Sequence, residues 1–396
     1  MLSPEHRAIV KATVPLLETG GEALTTHFYQ SLLRDHPEVV PFFNQSHQQS
    51  GQQQRALANG VLMYARNIDQ LEKLGDLVGT IVAKHVSLQI RPEHYPVVGA
   101  SLLRSIRAVL GADIATDAVI EAWGAAYGQL ADILIGAEKA VYDQIAQQPG
   151  GWRGERGFVV VSRRMESREI VSLRLAPEDG GAVVEHRPGQ FIGVRLVVDG
   201  QDVRRNYSLS AASDGATYRI SVKREEGGVV SRHLHDAVKV GDRLALFPPA
   251  GRFVLQASGR PLVLITGGVG ITPAIAMLQA AVAGPARPVV FIHAARNAGV
   301  HAFRDWTDEV VRLHPQVRCF YSYEAFDPAM GDAAPHAVGR LDQARLAEWL
   351  PQDRDVDAYY LGPTPFMRSV KKSLAALGVP ASQSFHEFFG PASALD

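Results

Sequence analysis

The run Gly267-Gly268-Val269-Gly270-Ile271-Thr272-Pro273 follows one apolar segment and opens another. A turn from strand into helix aims backbone N–H groups and the positive end of a helix dipole at one spot. A phosphate-bearing ligand would bind there. The run is not a GxGxxG fingerprint, because Pro273 stands where the last glycine belongs. It is not a Walker loop either, because no Lys-Ser or Lys-Thr follows. By itself it reads equally well as a tight strand-to-helix turn. Gly227-Gly228-Val229-Val230-Ser231 opens a shorter helix and makes a second candidate phosphate nest. Upstream, Arg205-Asn206-Tyr207-Ser208 lies on a predicted strand, with 205 and 207 on one face. Arg205 could pair with a phosphate, and Tyr207 could stack its ring on an isoalloxazine. An ordinary strand with a surface arginine and a half-buried tyrosine would carry the same residues.

A different chemistry is suggested by one of the 14 histidines. Val78, Ile81, Val82, His85 and Leu88 share one face of a predicted helix. A histidine there is either a core residue with a satisfied ring or a metal ligand. Later, the stripe Ile120, Trp123, Tyr127, Leu130, Leu134 reaches Glu138 after four more residues, and Val141, Tyr142 and Ile145 extend it. A carboxylate inside an apolar stripe needs a partner, unless a kink at Gly136 turns it to solvent. The single cysteine, Cys319, lies in a predicted strand and reads as a small buried hydrophobe. One thiol excludes an internal disulfide and any iron–sulfur or zinc site built from several thiolates.

Three stretches of different pattern must position these residues. Up to about residue 146 the pattern is helix after helix. Val10, Val14 and Leu17, then Leu24, Phe28 and Leu32, repeat the helical spacing. An acidic surplus up to Gln148 gives way to a basic one, and Pro149-Gly150-Gly151-Trp152-Arg153-Gly154 reads as a linker. Next come short strands at Phe158–Val161, Ile170–Leu175, Phe191–Val198, Arg205–Ser210 and Tyr218–Lys223, with a helix near Val229–Val238. This spacing predicts an antiparallel barrel or sandwich. From Pro261 strands alternate with helices. Strands are expected at Leu262–Thr266, Val289–His293, Arg318–Tyr323 and Ala358–Leu361, and helices at Ala274–Val282, Ala302–Leu313, Leu341–Leu350 and Phe366–Leu377. That alternation predicts a doubly wound, mostly parallel α/β sheet. The expected domains are therefore 1–147, 153–256 and 260–396, in keeping with a length of 396 residues.

Composition narrows the function classes. At 46% hydrophobic and 20% charged the chain is globular. With 40 Lys+Arg against 41 Asp+Glu it has no global attraction for nucleic acid or an anionic membrane. No formal charge stands between Arg260 and Arg287, but the glycine loop interrupts that stretch. It therefore reads as strand, loop and buried helix rather than a membrane span. The first residues, Met1 to Arg7, show no basic region followed by an apolar core, so no signal peptide is expected. A reducing, cytoplasmic compartment fits.

The Arg-x-Tyr-Ser element, the Gly-x-x-Ser helix start and the glycine loop ending in Thr-Pro occur in the order found in the ferredoxin-reductase family. Residues 153–396 resemble that family. Gly362-Pro363 after a late strand, and Glu387-Phe388-Phe389-Gly390-Pro391 near the end, resemble its further elements beside nicotinamide and flavin. The family usually has a cysteine before that Gly-Pro. Leu361 stands there instead, beside a hydride-transfer site whose chemistry needs no thiol as acid or base. Upstream, Tyr29, Phe43 after Pro41-Phe42, Gln53 and Leu57 at i, i+4, and His85 resemble the globin family. Lys11 to Leu17, His27-Phe28-Tyr29, Lys84-His85 and Ala122 to Tyr127 resemble motifs of the bacterial and yeast flavohaemoglobins, over essentially the whole chain.

This resemblance implies roles residue by residue. His85 would be the proximal ligand of a haem iron, with Tyr95 and Glu138 supporting it. Tyr29 and Gln53 would face bound oxygen, Leu57 would guard that pocket, and Phe43 would pack on the haem. Lys84 is expected among the cofactor contacts. Arg205, Tyr207, Ser208, Gly228 and Ser231 would bind flavin, together with Phe388, Phe389, Gly390 and Pro391. Gly268, Val269, Gly270, Ile271, Thr272 and Pro273 would bind the pyridine nucleotide. The implied cofactors are haem b, FAD and NAD(P)H. The implied activity is nitric oxide dioxygenase, acting on O2 and NO, with room for a lipid in the haem pocket. Two other classes stand beside it: a haem-based oxygen or redox sensor, and a flavin reductase of ferric, quinone or hydroperoxide acceptors. A continuous reductase argues against the sensor, which needs no steady electron supply. Arg296 would meet a 2′-phosphate or sit solvated in a loop.

Overall fold

A computed structural model describes residues 2–43, 48, 51–328 and 333–390. Contacts divide the chain into two compact units. Within the described residues, one spans residues up to Gly154 with Arg195–Arg205 and Gly390; the other is Glu155–Val194 with residues from Asn206 up to Phe389.

Local sequence sets the helices of the first unit. Ser3 caps α1 (Pro4–Ala12) by accepting from the His6 N–H. α2 (Val14–Asp35) carries Pro15 in its first turn, where a missing N–H costs nothing. A tight 3-10 turn, Pro37–Phe42, leads out of it. There follow α3 (Gln52–Arg66), α4 (Gly75–Leu88), α5 (His94–Leu110) and α6 (Asp117–Gln147). α2 and α3 are tied together where the Thr25 hydroxyl donates to the Gln54 carbonyl at 2.9 Å. α6 runs unbroken through Gly136, so Trp123, Ala126, Leu134 and Glu138 stay on one buried stripe.

A six-stranded sheet follows: β1 (Arg156–Met165), β2 (Ile170–Pro177), β3 (Phe191–Val198), β4 (Gln201–Ser208), β5 (Tyr218–Lys223) and β6 (Arg243–Leu246). Its order is β4-β3-β6-β1-β2-β5. The ladders of β1 with β2 and β6, and of β2 with β5, are antiparallel. A register shift between Val160 and Ser162 bends β1. The sheet curls until its two edges meet, through a bridge between Leu209 and Ile220 and the Ser210 N–H to Arg219 carbonyl bond at 2.8 Å. β4 is displaced from the expected Arg205–Ser210. It starts at Gln201 because Asp199 and Gly200 adopt positive φ (51° and 75°) in a tight hairpin turn. It ends at Ser208 because Leu209 changes partner to β5. α7 (Val229–Asp236) packs on β5, with His235 Nε2 bonded to the Val222 carbonyl at 2.8 Å.

The remaining chain forms a parallel sheet from β7 (Leu262–Gly267), β8 (Val289–Ala295), β9 (Val317–Tyr323), β10 (Ala337–Val338), β11 (Asp357–Leu361) and β12 (Ser384–His386). Its helices are α8 (Ile271–Ala283), α9 (Arg304–Leu313), α10 (Gln343–Trp349) and α11 (Thr364–Ala376). Alternate residues of β7 feed opposite core layers, Leu262 and Leu264 one, Val263 and Ile265 the other. Burial on both faces explains why β7 reads as a continuous apolar run. The order β10-β9-β8-β7-β11-β12 puts β8 and β11 on either side of β7. The direction of winding therefore reverses beside β7, and in open parallel sheets that crevice binds ligands. Cys319 is buried on β9, and burial pushes its thiol up to about 12. Among the described residues no helix is long and apolar enough to cross a membrane.

Candidate functional site

The face of α4 seen in the sequence delivers His85 beside two other helices. His85 Nδ1 lies 2.6 Å from Glu138 Oε1 on α6 and 3.2 Å from the Tyr95 hydroxyl on α5. The same hydroxyl donates to Glu138 Oε1 at 2.6 Å. Glu138 is 2% exposed, and its side chain is tolerated there because two donors converge on it. A carboxylate only accepts, so the ring nitrogen facing it carries the proton. That leaves Nε2 with its lone pair, on a side chain that keeps 30% of its surface accessible. Burial and the Glu138 hydrogen bond raise the Tyr95 hydroxyl, keeping it a donor. Tyr142, one turn beyond Glu138, donates to the Ile90 carbonyl at 2.9 Å and so ties the chain after α4 to α6. An imidazole held in one tautomer with one nitrogen left over fits a residue that would hold haem iron.

Tyr29 on α2 is buried, in edge contact with Phe43 at 5.5 Å between ring centres. Burial pushes its hydroxyl up to about 12, against a smaller opposite effect of its hydrogen bond with Gln53. It therefore remains a protonated donor at any physiological pH. Leu57 and Phe43, each half-buried, pack against the same apolar cluster as Tyr29. Gln54, next to Gln53, turns the other way and bonds the Gln48 carbonyl at 3.1 Å. Lys84 Nζ donates to the Gly390 carbonyl.

Closure of the curled sheet makes neighbours of two segments that are separate in sequence. β4 carries Arg205, Tyr207 and Ser208. β5, which it meets through Leu209, leads to Gly228 and Ser231 at the start of α7. Ser231 Oγ accepts from the Glu225 N–H at 3.1 Å and donates to the Gly228 carbonyl at 3.2 Å, closing the turn. Arg205 donates to the Arg204 carbonyl at 2.7 Å, and Arg204 lies over the Phe42 ring at 4.4 Å. In the parallel sheet Gly268 has φ +55°, and Gly270 lies so close to β11 that an added Cβ would stand 2.6 Å from the Leu361 carbonyl carbon. Val269 packs on the core, while Ile271, Thr272 and Pro273 are buried in the first turn of α8. The Thr272 hydroxyl donates to the Val269 carbonyl at 3.1 Å. Gly268 and Gly270 thus present bare backbone at the turn, which a phosphate chain needs for close approach, while the Phe366 ring packs against Gly267 and Gly362. Phe388 edges on His386 at 5.6 Å, and Phe389 is 47% exposed, a free aromatic face. Pro391 lies outside the described residues.

Three family models match in the same order as the folds: Globin over residues 26–134, Oxidoreductase FAD-binding domain over 157–255, and Oxidoreductase NAD-binding domain over 264–372. A flavohemoprotein of Pseudomonas putida is 65% identical over the full length of both chains, and one of Pseudomonas aeruginosa is 63% identical over the same span. The chain belongs to the flavohemoprotein family. A crystal structure of flavohemoglobin from Malassezia yamatoensis with bound FAD and heme matches 98% of this chain and 100% of that one, at TM-score 0.85 and 27% identity. The FAD/NAD-binding domain of nitric oxide dioxygenase from Vibrio cholerae covers 60% of this chain and 99% of its own, at TM-score 0.55 and 40% identity. Haem, FAD and a pyridine nucleotide are therefore the family's equipment, and the donor sets above fit each of them.

Sequence reasoning placed Tyr142 and Arg296 but gave Tyr142 no role and Arg296 no protein partner. The position of Tyr142, four residues after Glu138 on the stripe, was legible; its bond to the Ile90 carbonyl was not. Nor was the partner of Arg296. The guanidinium is ion-paired to Glu169, 127 residues earlier.

Proposed function

We propose that this flavohemoprotein is an NAD(P)H-dependent nitric oxide dioxygenase. Two NO, two O2 and one NAD(P)H would give two nitrate, NAD(P)+ and one proton. FAD, when bound, would supply the conversion of a hydride's electron pair into single electrons, and haem would supply one-electron and oxygen chemistry. The residues would do the rest. Glu138, by accepting from His85 Nδ1, makes the imidazole a stronger electron donor and fixes its ring plane. Tyr29, oriented by Gln53, would offer a hydroxyl hydrogen to a substrate oxygen that gains negative charge. Leu57 and Phe43 keep the pocket apolar, which excludes water and suits a small neutral gas; the same lining would accept a lipid chain. The glycine backbone at Gly268–Gly270 would seat the nucleotide's phosphates, and Arg205, Tyr207, Ser208, Gly228 and Ser231 would seat the flavin. Cytoplasmic residence belongs to the same reading, because the reaction draws on the reduced pyridine-nucleotide pool.

The observation that carries this is the His85–Glu138–Tyr95 network in a chain that also holds a complete reductase. A sensor does not need the second half, and a simple flavin reductase does not need the first. Purified protein should oxidise NADH in response to NO only when O2 is present, producing nitrate at two per NADH. NO-driven oxidation that ignores O2 would reject the dioxygenase.

A further inference from the structure

In a doubly wound sheet, the end of the second strand is where the two pyridine nucleotides are told apart. A carboxylate there suits a ribose 2′-hydroxyl, and an arginine suits a 2′-phosphate. Here the residue after β8 is Arg296, which by type alone points to the phosphorylated coenzyme. The fold gives Arg296 another occupation. Its Nη2 pairs with Glu169 Oε1, carried on the turn between β1 and β2. That turn belongs to the curled sheet and is fastened by backbone. The Arg168 N–H donates to the Gly299 carbonyl at 2.9 Å, just past Arg296, and the Arg224 N–H donates to the Glu169 carbonyl at 2.8 Å. On the other side the Ala325 N–H donates to the Arg296 carbonyl at 2.9 Å. Gly299 itself is approached so closely that an added Cβ would stand 2.8 Å from the Arg168 guanidinium carbon.

We infer that Glu169 sets the coenzyme preference of this chain. It supplies, from the flavin-binding sheet, the carboxylate missing after β8, and it makes NADH the preferred electron donor over NADPH. This deepens the reductase reading above and rests on it. A 2′-phosphate reaching Arg296 must displace a carboxylate already paired there, and it brings like charge against that carboxylate. A 2′-hydroxyl meets neither cost. Arg168 is exposed on the same turn. Glu169 is the charge that opposes a phosphate at Arg296, and removing it should move the preference toward the phosphorylated coenzyme.

The test compares 5′-AMP with 2′,5′-ADP, which differ only by the 2′-phosphate and transfer no electrons. Each is titrated calorimetrically into the full-length FAD- and haem-loaded protein. The wild type should bind 5′-AMP more tightly. E169Q should move the ratio of the two affinities toward 2′,5′-ADP by about tenfold, the effect of one charge a few ångströms away near a surface. R296Q breaks the same ion pair but removes the cation, so it should move the ratio the other way. Loosening of the turn would instead move both variants alike. The ratio of kcat/KM for NADPH and NADH, with ferricyanide as acceptor, should follow the binding ratio. A wild type that prefers 2′,5′-ADP, variants that shift in the same direction, or an unmoved ratio would each overturn the role of Glu169. If the wild type cannot reduce ferricyanide with either coenzyme, the reductase reading fails, while the titrations still decide on Glu169.

Discussion

Glu138→Gln isolates the charge behind the His85 imidazole without changing its shape. In the wild type one buried carboxylate oxygen takes two short hydrogen bonds, each 2.6 Å, from His85 Nδ1 and the Tyr95 hydroxyl. Hydrogen bonds to a charged group contribute roughly 1.5–3 kcal/mol each. The amide keeps a single neutral acceptor and presents an NH2 group with no acceptor on the two donors. About one charge-assisted bond is therefore lost, and the other becomes ordinary. Partners behind a metal-bound histidine typically control about 10–100-fold in metal affinity, which is about 1.4–2.7 kcal/mol and of the same size. The assay is the rate of haem transfer to an excess of an apoglobin scavenger, together with the midpoint potential of the iron. Haem should leave about 10–100 times faster, and the potential should rise because a weaker donor stabilises the ferric state less. Tyr95→Phe should have a smaller effect, because the carboxylate stays on the ring. His85→Ala, which removes the ligand, marks the limit of complete loss. Unchanged haem loss and an unchanged potential in E138Q would show that the carboxylate does not act through the imidazole.

Tyr29→Phe should speed oxygen dissociation about 10–100-fold, from loss of one hydrogen bond of roughly 1.5–3 kcal/mol to a charged acceptor; flash photolysis with an unaltered rate would remove Tyr29 from the oxygen site. Gly270→Ala must push β11 away from the glycine turn. It should weaken 5′-AMP binding while leaving the haem spectrum intact, whereas Gly259→Ala, with open space at its Cβ, should bind normally. Acid stability carries a further signature. His293 is buried beside Thr266, bonded at 2.7 Å, and burial lowers its pKa to about 3. Its ring is neutral in the folded chain but takes a proton in the unfolded chain below about pH 6.5. Its contribution is therefore fully present above pH 6.5 and drains away as the pH falls toward about 3, at up to about 1.4 kcal/mol per pH unit. His301, tilted against it with ring centres 4.4 Å apart and likewise lowered by burial, adds to the slope. Urea midpoints followed by hydrogen exchange of the β8 amides should fall between pH 6.5 and 5, and more gently in His293→Asn. Equal slopes in the two proteins would remove His293 as a source of the acid sensitivity.

Much of this chemistry was legible in the chain because it obeys short-range rules. The spacing from Trp123 to Glu138 is helical, and a helix preserves such a stripe whatever surrounds it. The turn at Gly267–Pro273 needs its glycines because backbone must approach backbone there, and that need is written locally. The short strands β6, β10 and β12 were not legible. Four, two and three residues carry too little pattern, and they are strands only because a neighbour pairs with them. The end of β4 at Ser208 likewise depends on Leu209 finding Ile220 across the closing sheet. Arg296 is the clearest case: its residue type suggested one ligand, and a glutamate far earlier in the chain gave it another partner. Periodicity and turn chemistry, which act over a few residues, were settled before folding. The carboxylate behind His85, the meeting of β4 with β5 and the company of Arg296 depend on distances between segments far apart in the chain, and only the folded packing assigns those.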